Sequence, residues 1–346
     1  MRSASWGCPR SRAERAGEQL DFQLSEDQKA LQAGIRSFCE SRMPKGKLAE
    51  IEHKNGFDAG LWAELAEMDV FGLRLPESDG GVGLGNADAV IVFAELGRRL
   101  LAGPLVWTHL AAGLIKGAAS GEVVVGGLDL MGPESGPLLV EHLDQLDALL
   151  ILRPQGVYRV DPRSLSGRPI AAPLDPFTPL HHVEGLPEGE LVLGPAEAER
   201  LRLEGAALVS GQLLGIAEST LELAAAYAKE RHQFGRAIGS FQAIKHMLAD
   251  MFVRQEVARA AVYAAGATLD DPGVGDVVRA VSTAKIMAGE GAMKNARSCI
   301  QIHGGMGFTW EIPAHFYMKR TWVLESVFGT IEEHADRCAE LVERSL

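Results

Sequence analysis

The sequence of 346 residues is long enough to bury a large core and to form two or three structural units. Hydrophobic residues make up 47% and charged residues 23% of the chain, which is ordinary for a globular protein. The net charge of −12 and the lack of a long basic run exclude a typical nucleic-acid partner, because phosphate neutralisation needs clustered Lys and Arg.

Targeting and redox features indicate the cytoplasm. No apolar run reaches the roughly 20 residues that a membrane helix needs, so we expect no membrane contact. Residues 1–20 contain several arginines but lack the apolar core of a signal peptide, and we expect a disordered leader there. The cysteines lack metal-site spacing, which predicts no metal centre and four reduced thiols: Cys8, Cys39, Cys299 and Cys338.

Helical patterns predict an N-terminal helical domain over residues 21–120. Ser25 and Gln28 have the spacing of a capping box, and apolar residues follow at helical intervals. Two further helices are expected (61–68 and 87–101). The loop over 76–85 contains Gly-Val-Gly, but no strand precedes it and the full G-x-G-x-x-G spacing fails. We therefore interpret it as a connector between helices.

The pattern changes to short apolar runs over residues 121–204. Pro- and Gly-containing turns separate these runs, which predicts a small, reduced β domain. The expected strands lie near 123–125, 138–140, 148–152, 157–160 and 191–193.

Long helical patterns return in residues 205–346. From Val209 to Tyr227, apolar residues recur at steps of four and three, as on one face of a long helix. More helices are expected over about 241–269 and 276–302 and after Pro313. The predicted fold class is thus α+β and mainly helical, with a C-terminal four-helix-bundle domain.

Two motifs in the C-terminal part carry groups suited to a dinucleotide. Arg231 offers a guanidinium fork for phosphate oxygens, and Phe234 offers a flat apolar surface. Gly235 removes a side chain where the chain must turn, and Gln242 can donate and accept hydrogen bonds. The second motif, residues 301–308, reads Gln-Ile-His-Gly-Gly-Met-Gly-Phe. Taken singly, these residues also suit a surface ion pair, a core aromatic and a helix end.

Together with Leu75 to Gly83 and the domain order, the two motifs resemble the acyl-CoA dehydrogenase family. The resemblance covers nearly the whole chain after the leader and implies FAD as the cofactor. In the family the Gln-x-x-Gly-Gly segment contacts the FAD of the adjacent subunit, which implies an oligomer. The resemblance places FAD contacts at Arg231, Phe234, Gln242, Gln301, His303, Gly304, Gly305 and Thr330.

The residue that performs proton abstraction in this family is missing. Desaturation of an acyl-CoA thioester needs a carboxylate base, which most members carry in a Tyr-Glu-Gly-Thr segment. Here the segment is Val-Phe328-Gly-Thr, and a phenylalanine cannot accept a proton. Some relatives carry the base at the position of Gly205, so the adjacent Glu204 is a candidate for the base. The alternative is that Glu204 is a solvated charge at the start of a helix. Three flanking acidic residues are interpreted as surface or interface groups: Glu325, Glu332 and Glu333.

Three hypotheses remain open. In the first, the chain is the shortened subunit of a heteromeric acyl-CoA dehydrogenase and pairs with a full-length homologue that supplies the Glu. The motif from Trp310 to His315 resembles such subunits, which are associated with sterol side-chain breakdown, and the β domain lacks the family's Thr-Glu-Pro and Trp-Ile-Thr-Asn segments. In the second, a homo-oligomer is self-sufficient through a relocated carboxylate. In the third, the chain is a non-catalytic scaffold. The resemblance also implies an acyl-CoA substrate, fatty acid or sterol β-oxidation, and electron-transfer flavoprotein as the electron acceptor.

Overall fold

In the computed structural model, which describes residues 23–44, 47–53, 56–131 and 138–344, the N-terminal region is helical. The expected leader over 1–20, with Cys8, lies outside the described residues. The helices of this region are α1 (Glu26–Arg42), α2 (Lys47–His53), α3 (Ala59–Glu67), α4 (Asn86–Arg98) and α5 (Leu105–Ala111).

A side-chain cap begins α1 as the sequence predicts. Ser25 Oγ accepts a hydrogen bond from the Gln28 N–H at 3.1 Å, and Gln28 Oε1 accepts one from the Ser25 N–H at 3.2 Å. The Gly-rich loop before α4 connects helical elements, as expected. Helix α4 ends at Arg98 rather than at residue 101, because Leu100 adopts a left-handed φ of 54°. Helix α5 was not predicted, since all its residues are buried and no amphipathic period shows.

Two small sheets form the central β unit. The first has the strand order β1 (Val125–Asp129), β3 (Ala148–Arg153), β4 (Gly156–Val160), β7 (Glu190–Leu193); β1 and β3 are parallel, and the other pairs are antiparallel. The second is antiparallel with the order β2 (Leu138–Glu141), β6 (Leu180–Val183), β5 (Gly167–Pro169). The sequence did not predict β5 or β6, where Pro169 and two histidines interrupt the alternation.

Long helices dominate the C-terminal region. These are α6 (Pro195–Glu230), α7 (Gln242–Asp270), α8 (Val277–His303), α9 (Ala314–Ser326) and α10 (Ile331–Glu343), with the β8 (His232–Gln233) and β9 (Arg236–Ala237) hairpin between α6 and α7. Helix α6 starts at Pro195, a residue type favoured in the first helical turn. The predicted division at 204/205 therefore falls inside α6.

Helix α6 is the axis around which the regions pack. It contacts α7 and α8 of the bundle and α4 of the N-terminal region, while α10 packs on α8. One hydrophobic core runs from the N-terminal helices through the β unit into the bundle, and a second cluster lies at the far end of α6. Two of the expected free thiols are buried, Cys39 and Cys299, and Cys338 is half-buried. Within the described ranges, no helix has both the length and the apolar character to cross a bilayer.

Candidate functional site

The two C-terminal motifs meet at one end of the helix bundle. The first follows α6 as the β8–β9 hairpin, and the second follows α8 as a 3₁₀ turn over Gly304–Phe308. The rings of Tyr227, near the end of α6, and His303, the last residue of α8, stack with centroids 4.2 Å apart. The second hydrophobic cluster joins these helix ends to the starts of α7 and α9. The fold thus brings together two segments that are distant in the sequence.

Six of the predicted FAD contacts are exposed at this place, which we call the open end: Arg231, Phe234, Gln242, Gln301, Gly304 and Gly305. Phe234 is 92% exposed, so it is no core aromatic. Among the described residues, the Arg231 side chain has no hydrogen bond or ion pair, so it does not pair with a surface carboxylate there. A Cβ on Gly304 or Gly305 would meet no atom within 4 Å, so the backbone at the turn is accessible.

The backbone of the hairpin is strained at an exposed aromatic residue. Phe234 has a left-handed φ of 53°, a conformation that costs a non-glycine residue about 1–3 kcal/mol. Its ring makes only an edge contact with Phe241, at 6.2 Å between centroids. Phe234 and Gly235 both have a left-handed φ, as a two-residue turn between paired antiparallel strands requires, so the β8–β9 hairpin itself accounts for this conformation.

Two other predicted FAD contacts do not belong to the open end. His303 is 4% exposed, and its Nδ1 lies 2.8 Å from the Cys299 carbonyl oxygen, so its ring faces the bundle interior. Burial lowers the pKa of His303. Thr330 is the N-cap of α10, where its Oγ1 accepts from the Glu333 N–H at 3.2 Å. The side chains of both residues act in the protein's own packing.

The position of the family's base lies in a closed interior, which we define by Trp107, Gly127, Gly205 and Phe328. Phe328 is 1% exposed, and its ring lies 4.6 Å from that of Trp107. A Cβ on Gly205 would lie 2.5 Å from the Phe328 ring, and one on Gly127 would lie 2.3 Å from the Trp107 ring. The two glycines thus make room for the two aromatic rings, which fill the space between the β unit and α6.

Buried polar groups fix the turn that carries Phe328. Lys285 is fully buried, and its Nζ donates to the carbonyl oxygens of Glu325 at 3.0 Å and Val327 at 2.8 Å, and also to that of Gly329. His334 Nε2 lies 2.9 Å from the Phe328 carbonyl oxygen. Burial lowers the pKa of Lys285 to about 7, although three carbonyl acceptors favour its ammonium form. The hydrogen bonds of Lys285 and His334 therefore stabilise the left-handed backbone of Phe328, whose φ is 56°.

Glu204 lies on another side of α6 from Gly205. It is 3% exposed, and its carboxylate accepts from Arg74 Nη2 at 3.1 Å and from Arg200 Nε at 2.8 Å. Burial raises the pKa of Glu204, but the two guanidiniums outweigh burial and hold that pKa below its ordinary value. It lines a cavity of about 280 Å³ between α5 and the start of α6. A carboxylate held in its charged form by two arginines is a poor proton acceptor.

Two of the three acidic residues near Phe328 accept hydrogen bonds from backbone N–H groups at the start of α10. Glu325 is half-buried and accepts from the Ile331 N–H at 2.8 Å, and Glu333 accepts from the Thr330 N–H at 2.8 Å. Glu332 is exposed in the first turn of α10. None of them takes the place of a base beside Phe328.

Sequence reasoning missed a polar cluster between the β unit and α9. Arg320 and Asp175 form a buried ion pair, and Arg320 Nη1 donates to the Leu101 carbonyl oxygen at 3.0 Å. Burial raises the pKa of the nearby Glu141 to about 7 and lowers that of His142 to about 3. The signal in the sequence is weak: two polar residues end the apolar run of β2.

A flavin ring does not fit in the closed interior. The aromatic pair fills the closed interior, and the neighbouring cavity beside Val327 measures about 40 Å³, whereas ligand pockets usually measure about 300–1,000 Å³. The open end does suit the phosphate and adenosine part of FAD, since Arg231 and the exposed glycine backbone can approach anionic oxygens.

Comparisons with known proteins agree with the predicted fold and resemblance. Residues 25–123 match the family model for the acyl-CoA dehydrogenase N-terminal domain, and residues 199–342 match the one for the C-terminal domain. Acyl-CoA dehydrogenase IpdE2 of Mycolicibacterium smegmatis is 30% identical over 329 residues, which is 91% of this chain and 98% of the relative.

Solved structures share the same fold. The ChsE4-ChsE5 complex from Mycobacterium tuberculosis matches with a TM-score of 0.81 and 22% identity, over 94% of this chain and 99% of that chain. The Tcur3481-Tcur3483 steroid ACAD variant matches with a TM-score of 0.80 and 25% identity, over 92% and 98%. A glutaryl-CoA dehydrogenase from Mycobacterium smegmatis in complex with FADH2 matches with a TM-score of 0.79 and 17% identity, over 92% and 95%. The predicted fold class and the family resemblance are confirmed.

Proposed function

Because the chain belongs to the acyl-CoA dehydrogenase family, we propose that it is the subunit without a catalytic base in a heteromeric acyl-CoA dehydrogenase. Its partner is a full-length homologous subunit that supplies the catalytic Glu. The complex desaturates an acyl-CoA thioester between Cα and Cβ and passes electrons to an electron-transfer flavoprotein. We also propose that the complex acts in the cytoplasm on a bulky, sterol-derived acyl group. The similarity of the chain to a steroid enzyme pair supports this substrate class.

The packing of Phe328 is the observation that carries this proposal. A phenylalanine that is 1% exposed and packed against the Trp107 ring can neither accept a proton nor leave room for a thioester. The open end, by contrast, contains exposed side chains that contribute little to the packing of the described part of the chain. Residues that serve a cofactor held by another chain must be exposed in the isolated subunit, as Arg231 and Phe234 are.

The open end would hold the phosphate and adenosine part of the partner's FAD. Arg231 would donate to pyrophosphate oxygens, Phe234 would cover an apolar face, and Gln242 and Gln301 would bind polar atoms. When bound, FAD supplies a hydride acceptor for the substrate Cβ. This chain's own contribution is binding and orientation.

Co-expression with a full-length homologous subunit tests the proposal. We expect a yellow complex with fewer flavins than chains, whereas the chain alone should be colourless. Arg231→Ala should weaken FAD binding by roughly 10- to 100-fold, because a charge-assisted hydrogen bond to phosphate is lost. Arg168→Ala, at an exposed position of β5, is the matched control and should leave FAD binding unchanged. A fully flavinylated, active homo-oligomer would overturn the proposal.

One observation favours self-sufficient activity as a second candidate. Glu141 is a carboxylate with a raised pKa that lines the cavity next to Val327, which suits a general base better than Glu204 does. If this candidate holds, the isolated chain should bleach added flavin on mixing with acyl-CoA, and Glu141→Gln should abolish bleaching while Glu204→Gln preserves it. If neither the isolated wild-type chain nor its complex with the full-length homologue bleaches flavin on addition of acyl-CoA, the remaining hypothesis is the non-catalytic scaffold.

A further inference from the structure

A small polar cavity lies between β2, α6 and α9, beside the closed interior. It measures about 40 Å³ and is lined by Glu141, His142, Gln212, Arg320, Leu324 and Val327, among others. Leu324 of α9 and Val327, just after α9, give it an apolar wall, whereas β2, α6 and Arg320 contribute polar groups. Nothing in the proposed FAD site uses these side chains.

Three buried polar atoms of this lining lack a partner. They are His142 Nδ1, Gln212 Oε1 and Arg320 Nη2, and none has a hydrogen bond to another described protein group. Their side chains are 2%, 5% and 6% exposed, so bulk water does not reach them freely. Buried polar groups in native proteins are nearly always hydrogen-bonded. Three unpartnered atoms around one cavity therefore indicate a bound molecule.

The chemistry of the three groups selects the class of that molecule. Arg320 Nη2 can only donate a hydrogen bond, and Gln212 Oε1 can only accept one. An anion would meet the Gln212 oxygen and the Glu141 carboxyl group, and a cation would meet the Arg320 guanidinium. An apolar molecule would leave all three atoms unpaired. The occupant must be a neutral group that both donates and accepts.

The size of the cavity narrows this class to water. A volume of about 10–15 Å³ accommodates one water molecule, so about 40 Å³ holds up to three. We propose that the cavity is a binding site for ordered water, in which one molecule accepts from Arg320 Nη2 and donates to Gln212 Oε1. His142 Nδ1 hydrogen-bonds to the same water cluster, either as donor or as acceptor of the neutral ring.

This water site would complete the buried Arg320–Asp175 pair. Asp175 accepts from Arg320 Nε, and the Leu101 carbonyl accepts from Nη1, which leaves Nη2 as the guanidinium nitrogen without a partner among the described residues. A buried ion pair is favourable only when its remaining hydrogen-bonding groups are satisfied. The water also links the end of β2 to α6 and α9, so the β unit is joined to the bundle through solvent as well as through side chains.

Crystallography of the full chain at a resolution that shows ordered solvent tests this site. In the wild type we expect a solvent peak within hydrogen-bonding distance of both Arg320 Nη2 and Gln212 Oε1. Gln212→Met keeps the volume but removes the acceptor, and the peak should be lost or displaced. Gln255→Met replaces a buried glutamine of α7 outside the cavity lining and should leave the peak unchanged.

Two results would overturn the water site. One is a wild-type structure without the peak, in which Arg320 Nη2 donates directly to Gln212 Oε1. The other is density for a larger or anionic molecule on the same atoms. Because the wild-type crystal alone decides between these outcomes, a Gln212→Met chain that failed to fold would not obscure the test.

Discussion

The open end and the closed interior differ in which molecule their residues serve. At the open end, Arg231 and Phe234 are exposed and contribute little to the packing of the chain. In the closed interior, Trp107 and Phe328 are buried on each other, and two glycines make room for them. The first arrangement suits a contact outside the chain, and the second stabilises the chain itself. Substitutions in the two regions should therefore affect different measurements.

The largest effect is expected from a charge in the closed interior. Phe328→Glu buries a carboxylate against Trp107 and should destabilise the chain by about 4 kcal/mol or more in urea unfolding. It should not create dehydrogenase activity, because no cavity for a thioester accompanies the new carboxylate. Phe328→Leu should cost less, on the order of 1–2 kcal/mol. Acyl-CoA-dependent flavin bleaching by Phe328→Glu alone would show that the interior opens.

A smaller loss of stability is expected from substitution of Lys285, which donates hydrogen bonds to the carbonyl oxygens of the turn that carries Phe328. Lys285→Met leaves three carbonyl oxygens without their donor and should lower the free energy of unfolding by about 3 kcal/mol. Lys294→Met, on the same helix, removes only an exposed pair with Glu290 and should cost less than about 0.5 kcal/mol. Equal losses for the two variants would contradict this account.

The polar cluster beside the closed interior should make stability depend on pH. The pKa of Glu141 rises from 4.5 to about 7 in the folded protein, so its stabilising contribution is complete below pH 4.5 and is lost as pH rises through about 7. Glu141→Gln is neutral throughout and should gain about 3 kcal/mol relative to the wild type over this range. Urea midpoints across the pH series measure this gain. The exposed Glu190→Gln should follow the wild type, and a parallel Glu141→Gln profile would refute the shift.

The smallest effect is expected at the open end of the isolated chain. Phe234→Asn places a residue that tolerates left-handed backbone at φ 53° and should leave stability unchanged or raise it by up to about 1 kcal/mol. Phe252→Asn, at an exposed position inside α7, should bring no gain. In the heteromeric complex, Phe234→Asn should instead weaken FAD retention. A marked destabilisation of the isolated chain would place Phe234 among its packing residues.

Local signals in the sequence predicted most of the fold. The Ser25 capping box and the apolar spacing of α6 depend on neighbouring residues, and both are present in the structure. Helix α5 was missed because uniform burial removes the period that an amphipathic helix shows. The start of α6 was placed too late, because the charged residues before Gly205 hide the helical pattern.

The site was less predictable, since its contacts join distant parts of the chain. Trp107 and Phe328, or Asp175 and Arg320, come together only through the packing of α5 and α9 on the rest of the fold. His303 is different, because helix geometry separates it from Gln301. Side chains two positions apart on an α-helix point in directions about 200° apart. That spacing alone indicates that both side chains cannot face the same ligand. The open end itself was visible in the sequence because its motifs are short and local.

Helix α6 connects the closed interior, at Gly205, to the open end, at Arg231. It has 36 residues and is therefore about 54 Å long, and Gly205 and Arg231 lie roughly 40 Å apart along it. Substitutions at such a separation usually act additively, since they share no neighbours. The length of a single helix therefore makes sequence variation in the closed interior energetically independent of sequence variation at the open end.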